Sequence, residues 1–145
     1  MTPIIELQQD DVVEFIRRHP ALELNQMLPG DLHDTIAYYE RERALFLACD
    51  DGLLTGLGIG YQCHYGDWDR PWPTPTRSGE CFYIALVVAD SPAAGLAVWT
   101  QWANRIRAVK QLKIYAKRHH KIRRVTMREV DRMVNYWRRS ATPKE

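Results

Sequence analysis

The sequence is poor in cysteine, which argues against two ways of stabilising a small protein. Its three cysteines, Cys49, Cys63 and Cys81, are an odd number, and none of them form a Cys-x-x-Cys pair. A disulfide framework and a zinc site both rely on paired spacings of that kind. We therefore expect reduced thiols in the core or in strands, and no bound metal.

Long apolar runs are also missing. The chain has no uninterrupted apolar stretch of the length, about 18 residues, that a membrane-spanning helix needs. Its acidic start, MTPIIELQQDD, has neither the basic flank nor the apolar core of a signal peptide. With 145 residues, 46% of them apolar and 26% charged, the composition is that of a soluble domain. We expect one domain spanning residues 1–145, located in the cytoplasm and without membrane contact.

Basic charge is scarce in the first two thirds of the chain and concentrated in the last third. Residues 1–100 carry a formal charge of −9 and residues 101–145 one of +11, although the whole chain has only +2. Such a segment attracts polyanions, namely nucleic acid, an acidic protein surface or the phosphates of a cofactor. The alternative is that the acidic part of the same fold neutralises it.

The first forty residues predict a strand followed by two helices. The β-branched run Ile4–Leu7 is typical of a short strand, and Asp10 or Asp11 would cap the helix that follows it. A second helix would begin with Asp31 as its N-cap. Its apolar face would consist of Leu32, Ile36 and Tyr39.

A β-hairpin is the clearest pattern in the sequence. Two apolar runs flank Asp50-Asp51-Gly52, and glycine supplies the positive φ that a tight turn needs. Glycines alternate along the second run, at positions 56, 58 and 60. One face of this strand therefore has no side chains, so either a neighbouring element or a ligand lies close against it.

The segment Tyr65–Gly79 predicts a long loop, because it holds three prolines and two glycines. Loops of this length often serve as lids or bind partners. Its tryptophans, Trp68 and Trp72, would then anchor a partner protein or cover a ligand. The equal alternative is a loop folded back to seal the sheet. A buried strand, Glu80–Asp90, follows.

The last third of the chain is harder to interpret. A helix from about Ala93 to at least Arg107 would carry Trp99 and Trp102 as core or subunit-interface residues. Residues 110–118 predict a strand, with a continued helix as the competitor. The inner face of that strand would be Leu112, Ile114 and Ala116.

Residues 119–125 are compatible with a short helix, and residues 127–139 fit two structures. Thr126 with Glu129 matches a capping box and favours a helix. Val130, Val134 and Tyr136 also suit a closing strand, which is the structure that we favour.

The predicted order of strands and helices resembles that of the GNAT family of acyl-CoA-dependent N-acyltransferases. The resemblance also rests on two segments, FLACDDGLLTGLGIG and, after it, YIALVVADSPAAGLAVWTQWANRI. The sequence is most similar to the small, diverged members found in bacteriophage genomes. The resemblance implies an α/β fold of the α+β kind, in which helices flank a mixed central sheet. It also implies acetyl-CoA as cofactor and an amine as acceptor. For a phage protein, the location would be the host cytoplasm or the virion.

The family binds the cofactor's pyrophosphate with a loop that reads Gln/Arg-x-x-Gly-x-Gly/Ala. Here it falls on Pro92–Ala97, where Gly95 and Ala97 match and Pro92 replaces the leading Gln or Arg. The resemblance implies cofactor contacts from Val88, Ala93, Ala94, Gly95, Leu96 and Ala97. Small residues at a helix start leave backbone N–H groups accessible to an anion. They equally suit an ordinary, closely packed strand-to-helix turn.

The catalytic residues are less clearly indicated. Glu80, at the start of the central strand, is the candidate base, with a solvated strand-end carboxylate as the alternative. The family's usual acid is a tyrosine, which the matching segment HHKIRRVTM lacks. We take the nearby Tyr115 as the candidate acid. His119 and His120 are candidate surface residues or phosphate contacts.

Two further functions compete with acyl transfer. One is a non-catalytic member of the same fold that acts as a virion component or binds a host protein, as a homo-oligomer or with a partner. The other is nucleic-acid binding by the basic segment, where Tyr115, Tyr136 and Trp137 would stack on bases.

Overall fold

The computed structural model describes residues 4–69, 75–109, 111–118 and 121–142. Within these ranges there are four α-helices and one five-stranded sheet. The helices are α1 (Ile4–Arg17), α2 (Pro29–Arg41), α3 (Pro92–Ala108) and α4 (Met127–Ala141). The strands are β1 (Leu45–Asp50), β2 (Leu53–Cys63), β3 (Cys81–Ala89), β4 (Lys113–Arg118) and β5 (Lys121–Val125). Short 3₁₀ turns occupy Glu23–Gln26 and Asp67–Asp69.

The sheet is mixed, and its strands lie in sequence order, β1-β2-β3-β4-β5. Neighbouring strands are antiparallel except β3 and β4, which are parallel. A parallel pair needs a crossover connection, and α3 supplies it. The predicted α+β class, with helices flanking a mixed central sheet, is therefore confirmed.

Two apolar cores lie on opposite faces of the sheet. On one face, α1 and α2 bury Phe15 and Ile36 against β2 residues such as Leu57. On the other face, α3 and α4 bury Trp102 and Val130 against β1, β3 and β4. The sheet is thus the middle layer of three, and this positions α3 directly on the central strands.

The glycine face of β2 receives α3. A Cβ added at Gly58 would lie 2.6 Å from Trp102 Cζ2 and from Val98 Cγ1, and one at Gly56 would lie 3.0 Å from the Cβ of Ala94. The face of β2 without side chains therefore accommodates a neighbouring element. This was one of the two predicted alternatives, the other being a ligand. Trp99 and Trp102 are core residues, 8% and 0% exposed.

The predicted hairpin is confirmed, and its turn has the expected geometry. Asp51 and Gly52 have φ values of +49° and +78°. Two consecutive positive φ values are typical of a type I′ turn, whose twist matches that of the flanking strands. The turn places the end of β1 beside the start of β2.

Two predictions for the N-terminal region are wrong. Residues 4–7 belong to α1, so Asp10 and Asp11 lie inside the helix and do not cap it. The sequence between Ile4 and Arg17 has no glycine or proline, and good helix formers follow the β-branched pair. Asp31 lies in the first turn of α2, whose N-cap is Leu28, because proline at position 29 favours the first helical position. The predicted apolar face of α2 is buried.

Two predictions for the C-terminal region are also wrong. Residues 127–139 form α4, because both halves of the capping box between Thr126 and Glu129 are present. Residues 121–125 form β5, which pairs with β4 from Arg118↔Lys121 to Ile114↔Val125. The strand predicted within 110–118 is confirmed as β4. The remainder of the predicted short helix, residues 119 and 120, lies outside the described residues.

Within the described residues, no helix combines the length and the apolar character needed to cross a membrane.

Candidate functional site

The parallel strands β3 and β4 run together for only part of their length. Their ladder extends from Cys81↔Lys113 to Ile84↔Ala116, whereas β3 continues to Ala89. On its other edge, β3 stays paired with β2 up to Ala89. Within the β2–β3 ladder the register shifts, because Ile59 pairs with Leu86 whereas the next residue, Gly60, pairs with Ile84. This β-bulge bends β3 at the level where it separates from β4.

The helix α3 starts at the separated end of β3. Its N-cap is Ser91, whose Oγ accepts a hydrogen bond from the N–H of Ala94 at 3.2 Å. The N–H of Gly95 donates to the carbonyl oxygen of Ser91 at 3.1 Å. The N–H of Ala93 has no acceptor among the described residues. The amides of Ala94 and Gly95 are therefore occupied, and that of Leu96 lies within the helix, so the accessible donor at this helix start is the N–H of Ala93.

The small residues of α3 also allow close packing. Ala94 is 2% exposed and lies on Gly56. A Cβ added at Gly95 would lie 2.5 Å from Cδ2 of Trp137, which comes from α4. Leu96 and Ala97 pack at the edge of the same core, and Val88 packs against the opposite one. The absence of bulk at positions 94 and 95 thus serves helix and sheet packing.

Glu80 lies at the other end of β3, next to the paired residues. Its Oε1 accepts from the N–H of Tyr65 at 2.7 Å, and its Oε2 lies 2.8 Å from Nδ1 of His64. These hydrogen bonds, that from Tyr65 foremost, lower the pKa of Glu80 to about 2. So acidic a carboxyl is a poor base. It is also four residues, about 13 Å, from Ile84 where the strands separate.

Tyr115 lies closer to the separation, because it pairs with Tyr83 immediately before the last pair of the ladder. Its ring lies 4.9 Å from that of Trp68 and 5.4 Å from that of Tyr65. Since Tyr65 also donates its N–H to Glu80, the structure connects the two predicted catalytic residues through this one residue.

The described part of the predicted loop folds back on the sheet. Trp68 stacks on Tyr83 at a centroid distance of 5.4 Å, and it is partly buried against the α1 and α2 core. Burial raises the pKa of Tyr83 to about 12, so that this phenol stays protonated. The position of Trp68 therefore matches the alternative in which the loop folds back and seals the sheet. Trp72 lies outside the described residues.

The sequence analysis missed two histidine–carboxylate pairs. His64 pairs with Glu80, and Nε2 of His19 lies 2.7 Å from Oδ1 of Asp90. The second pair joins the end of α1 to the end of β3, just before α3. No local pattern could have found it, because the partners are 71 residues apart.

The basic segment is only weakly tied to the acidic part of the chain. Among the described residues, one ion pair connects them, between Lys117 Nζ and Glu23 Oε2 at 3.3 Å. The other two ion pairs of the segment, Arg107 with Asp131 and Arg123 with Glu129, lie within it. Most of its positive charge therefore faces solvent. His119 and His120 lie outside the described residues.

The described residues contain no group of three or more His, Cys, Asp or Glu side chains that could hold a metal ion. Cys49, Cys63 and Cys81 are free thiols, and the last two are buried. No family model, curated protein or solved structure matches this chain.

Proposed function

We propose that the chain binds acetyl-CoA beside β3 and transfers the acetyl group to an amine, as a diverged N-acyltransferase of the GNAT kind. The observation that carries this proposal is the end of the β3–β4 ladder at Ile84 and Ala116, beyond which β3 continues alone to Ala89 and leads into α3 at Pro92. The gap offers a cofactor both an unpaired strand edge and a helix N-terminus.

The amide-bearing arm and the diphosphate of the cofactor would each find a matching group at this gap. Beyond Ile84, the edge of β3 that faces away from β2 has no ladder partner among the described residues. An extended chain with amide groups can hydrogen-bond to such an edge as an added strand does. The N–H of Ala93 and the positive end of the α3 dipole attract a diphosphate.

The transfer step needs only the acetyl thioester and the amine. The amine nitrogen attacks the carbonyl carbon, the C–S bond breaks, and the sulfur leaves as a thiolate that takes up a proton. The nitrogen loses a proton to solvent. Tyr115, next to the last pair of the ladder, is the candidate donor to the thiolate. Glu80 would attract a protonated amine rather than deprotonate it, since its pKa is about 2.

Titration calorimetry with acetyl-CoA tests the binding, and thiol release with a panel of primary amines tests the transfer. Saturable binding together with amine-dependent thiol release supports the proposal. Tyr115→Phe should then slow thiol release and leave the binding constant unchanged. Binding without thiol release would instead support a non-catalytic member of the same fold. Absence of binding at millimolar acetyl-CoA would rule out the transferase.

Nucleic-acid binding is a second candidate. It is favoured because, among the described residues, only the Lys117–Glu23 ion pair connects the basic segment with the acidic part of the chain. A surface on which basic groups outnumber carboxylates binds phosphates and releases their counterions. Affinity for a single-stranded oligonucleotide should therefore fall steeply with added salt. Affinity that is absent, or independent of salt, would contradict this function.

A further inference from the structure

Four arginines from three parts of the chain line one pocket at the end of the sheet opposite the start of α3. Arg41 ends α2, Arg43 lies between α2 and β1, Arg77 lies near the end of the long loop, and Arg105 lies near the end of α3. The pocket has a volume of about 410 Å³. This is enough for a small organic or inorganic anion.

The pocket has a clear excess of positive charge. The acid in its wall is Glu42. An adjoining pocket of about 370 Å³ shares Arg43 and Arg105 and adds Glu40. Within the described part of the chain, none of the four guanidinium groups forms an ion pair with a carboxylate. Positive charges that outnumber the carboxylates around them favour an anion from outside the protein.

The backbone at Arg43 strengthens this inference. Its φ is +56°, in the left-handed region. The N–H of Ala44 donates to the carbonyl of Tyr39, and that of Arg43 to the carbonyl of Glu40, as in a Schellman motif. Glycine is the usual residue at this position, and another residue there costs about 1 kcal/mol. The chain accepts this strain at a position that supplies a cation to the pocket.

Arg105 packs on an aromatic ring. Its guanidinium carbon lies 5.1 Å from the ring centroid of Phe46, so the side chain covers this core residue. A planar guanidinium group can offer two parallel N–H donors to one phosphate. We propose that the four-arginine pocket binds a small, multiply charged phosphate, specifically a diphosphate group.

This pocket is separate from the gap beside β3. Arg105 is twelve residues further along α3 than Ala93, which corresponds to about 18 Å along a helix. A single diphosphate cannot contact both places. The inference therefore does not depend on acyl-CoA binding, and either one can fail without the other.

Titration calorimetry with inorganic pyrophosphate tests the inference. Arg43→Gly and Arg105→Gln should each weaken binding about tenfold or more, as loss of a charge-assisted contact does. Arg132→Gln, which removes an exposed charge on α4, is the matched control and should change affinity by about twofold at most. The melting temperature of Arg43→Gly should equal or exceed that of the native chain, because glycine prefers this backbone conformation.

The possible outcomes of these titrations either support or overturn the pocket. A loss of affinity in Arg43→Gly with an undiminished melting temperature supports the pocket, since unfolding cannot explain it. ADP binding more tightly than pyrophosphate would assign the diphosphate to a nucleotide, and weaker ADP binding would assign it to the free anion. Equal losses in Arg132→Gln and Arg43→Gly, or no binding of millimolar pyrophosphate to the native chain, would overturn the inference.

Discussion

The imidazole Nε2 of His19 lies 2.7 Å from the carboxylate Oδ1 of Asp90, and this contact connects the end of α1 with the strand end that leads into α3. The Nδ1 of His19 lies 2.7 Å from the carbonyl oxygen of Phe15, so both ring nitrogens have partners. The pair thus fixes the far end of β3, where the proposed cofactor gap opens.

The coupling between His19 and Asp90 should be measurable in a double-mutant cycle. The two side chains are 25% and 37% exposed, so solvent screens the pair and the coupling should be only about 0.5–1 kcal/mol. Urea denaturation of His19→Gln, Asp90→Asn and the double variant gives this value. Additive effects of the two substitutions would show that the contact contributes nothing to the fold.

The close approach of α3 to β2 predicts a large effect of a single methyl group. Gly58→Ala should destabilise the fold by about 1–3 kcal/mol, because its Cβ would collide with Trp102 and Val98. Gly30→Ala is the matched control, since no atom lies within 4 Å of its added Cβ. Chemical denaturation compares the two, and equal stabilities would contradict the described packing.

A similar argument applies to the contact between α3 and α4. Gly95→Ala should destabilise the fold by about 1–3 kcal/mol, because the added Cβ would overlap the ring of Trp137. In a Trp137→Ala background the same substitution should cost far less. The double-mutant cycle should therefore be strongly non-additive. If Gly95→Ala costs the same in both backgrounds, Trp137 does not occupy this position.

The Glu80 carboxylate predicts a pH dependence at the acidic end. Its pKa of about 2 in the folded protein lies below its ordinary unfolded value, so the unfolded state binds a proton first as the pH falls. The contribution of Glu80 to stability is therefore complete above about pH 4.5 and is lost as the pH falls towards 2.

Glu80→Gln removes this titrating group and should flatten the stability profile in that range. Denaturation midpoints of the native chain and the variant between pH 5 and 2 measure the difference. Parallel profiles for the two proteins would show that the hydrogen bonds from Tyr65 and His64 do not stabilise the carboxylate.

The features that the sequence predicted correctly depend on neighbouring residues. The turn at Asp51-Gly52 and the apolar face of α2 follow from backbone preference and from periodicity. The glycine face of β2 indicated a close neighbour, although only the structure could identify α3. These patterns are short, and local physics decides them.

The wrong predictions come from residues that suit two structures. Val130 and Val134 fit a helix or a strand, and the capping box between Thr126 and Glu129 stabilises the helix. At the other end of the chain, the pair Ile4-Ile5 resembles a strand, yet it begins a helix that runs without a break to Arg17. Local preference is weak in such cases, and the longer pattern dominates.

The candidate sites were predictable only in part. Ala93 and Tyr115 could be named from a motif and from sequence neighbourhood, although the partners of the other α3 amides could not. The contact of His19 with Asp90 and the pocket shared by Arg43 and Arg105 bring distant residues together and leave no local pattern. Such long-range arrangements are set by the packing of the whole fold.

The most direct test of the central claim compares a negative charge at the starts of two helices. Ala93→Asp adds a carboxylate at the second position of α3, and Gly30→Asp adds one at the second position of α2, each following a proline. Both charges favour their helix dipole by about 0.3–1 kcal/mol, so neither should unfold the chain.

Calorimetric titration of both variants with acetyl-CoA then gives the answer. If the cofactor's diphosphate lies at the start of α3, Ala93→Asp should weaken binding about tenfold or more, whereas Gly30→Asp should leave it unchanged. Equal affinities in the two variants, or no acetyl-CoA binding by the native chain, would contradict the account.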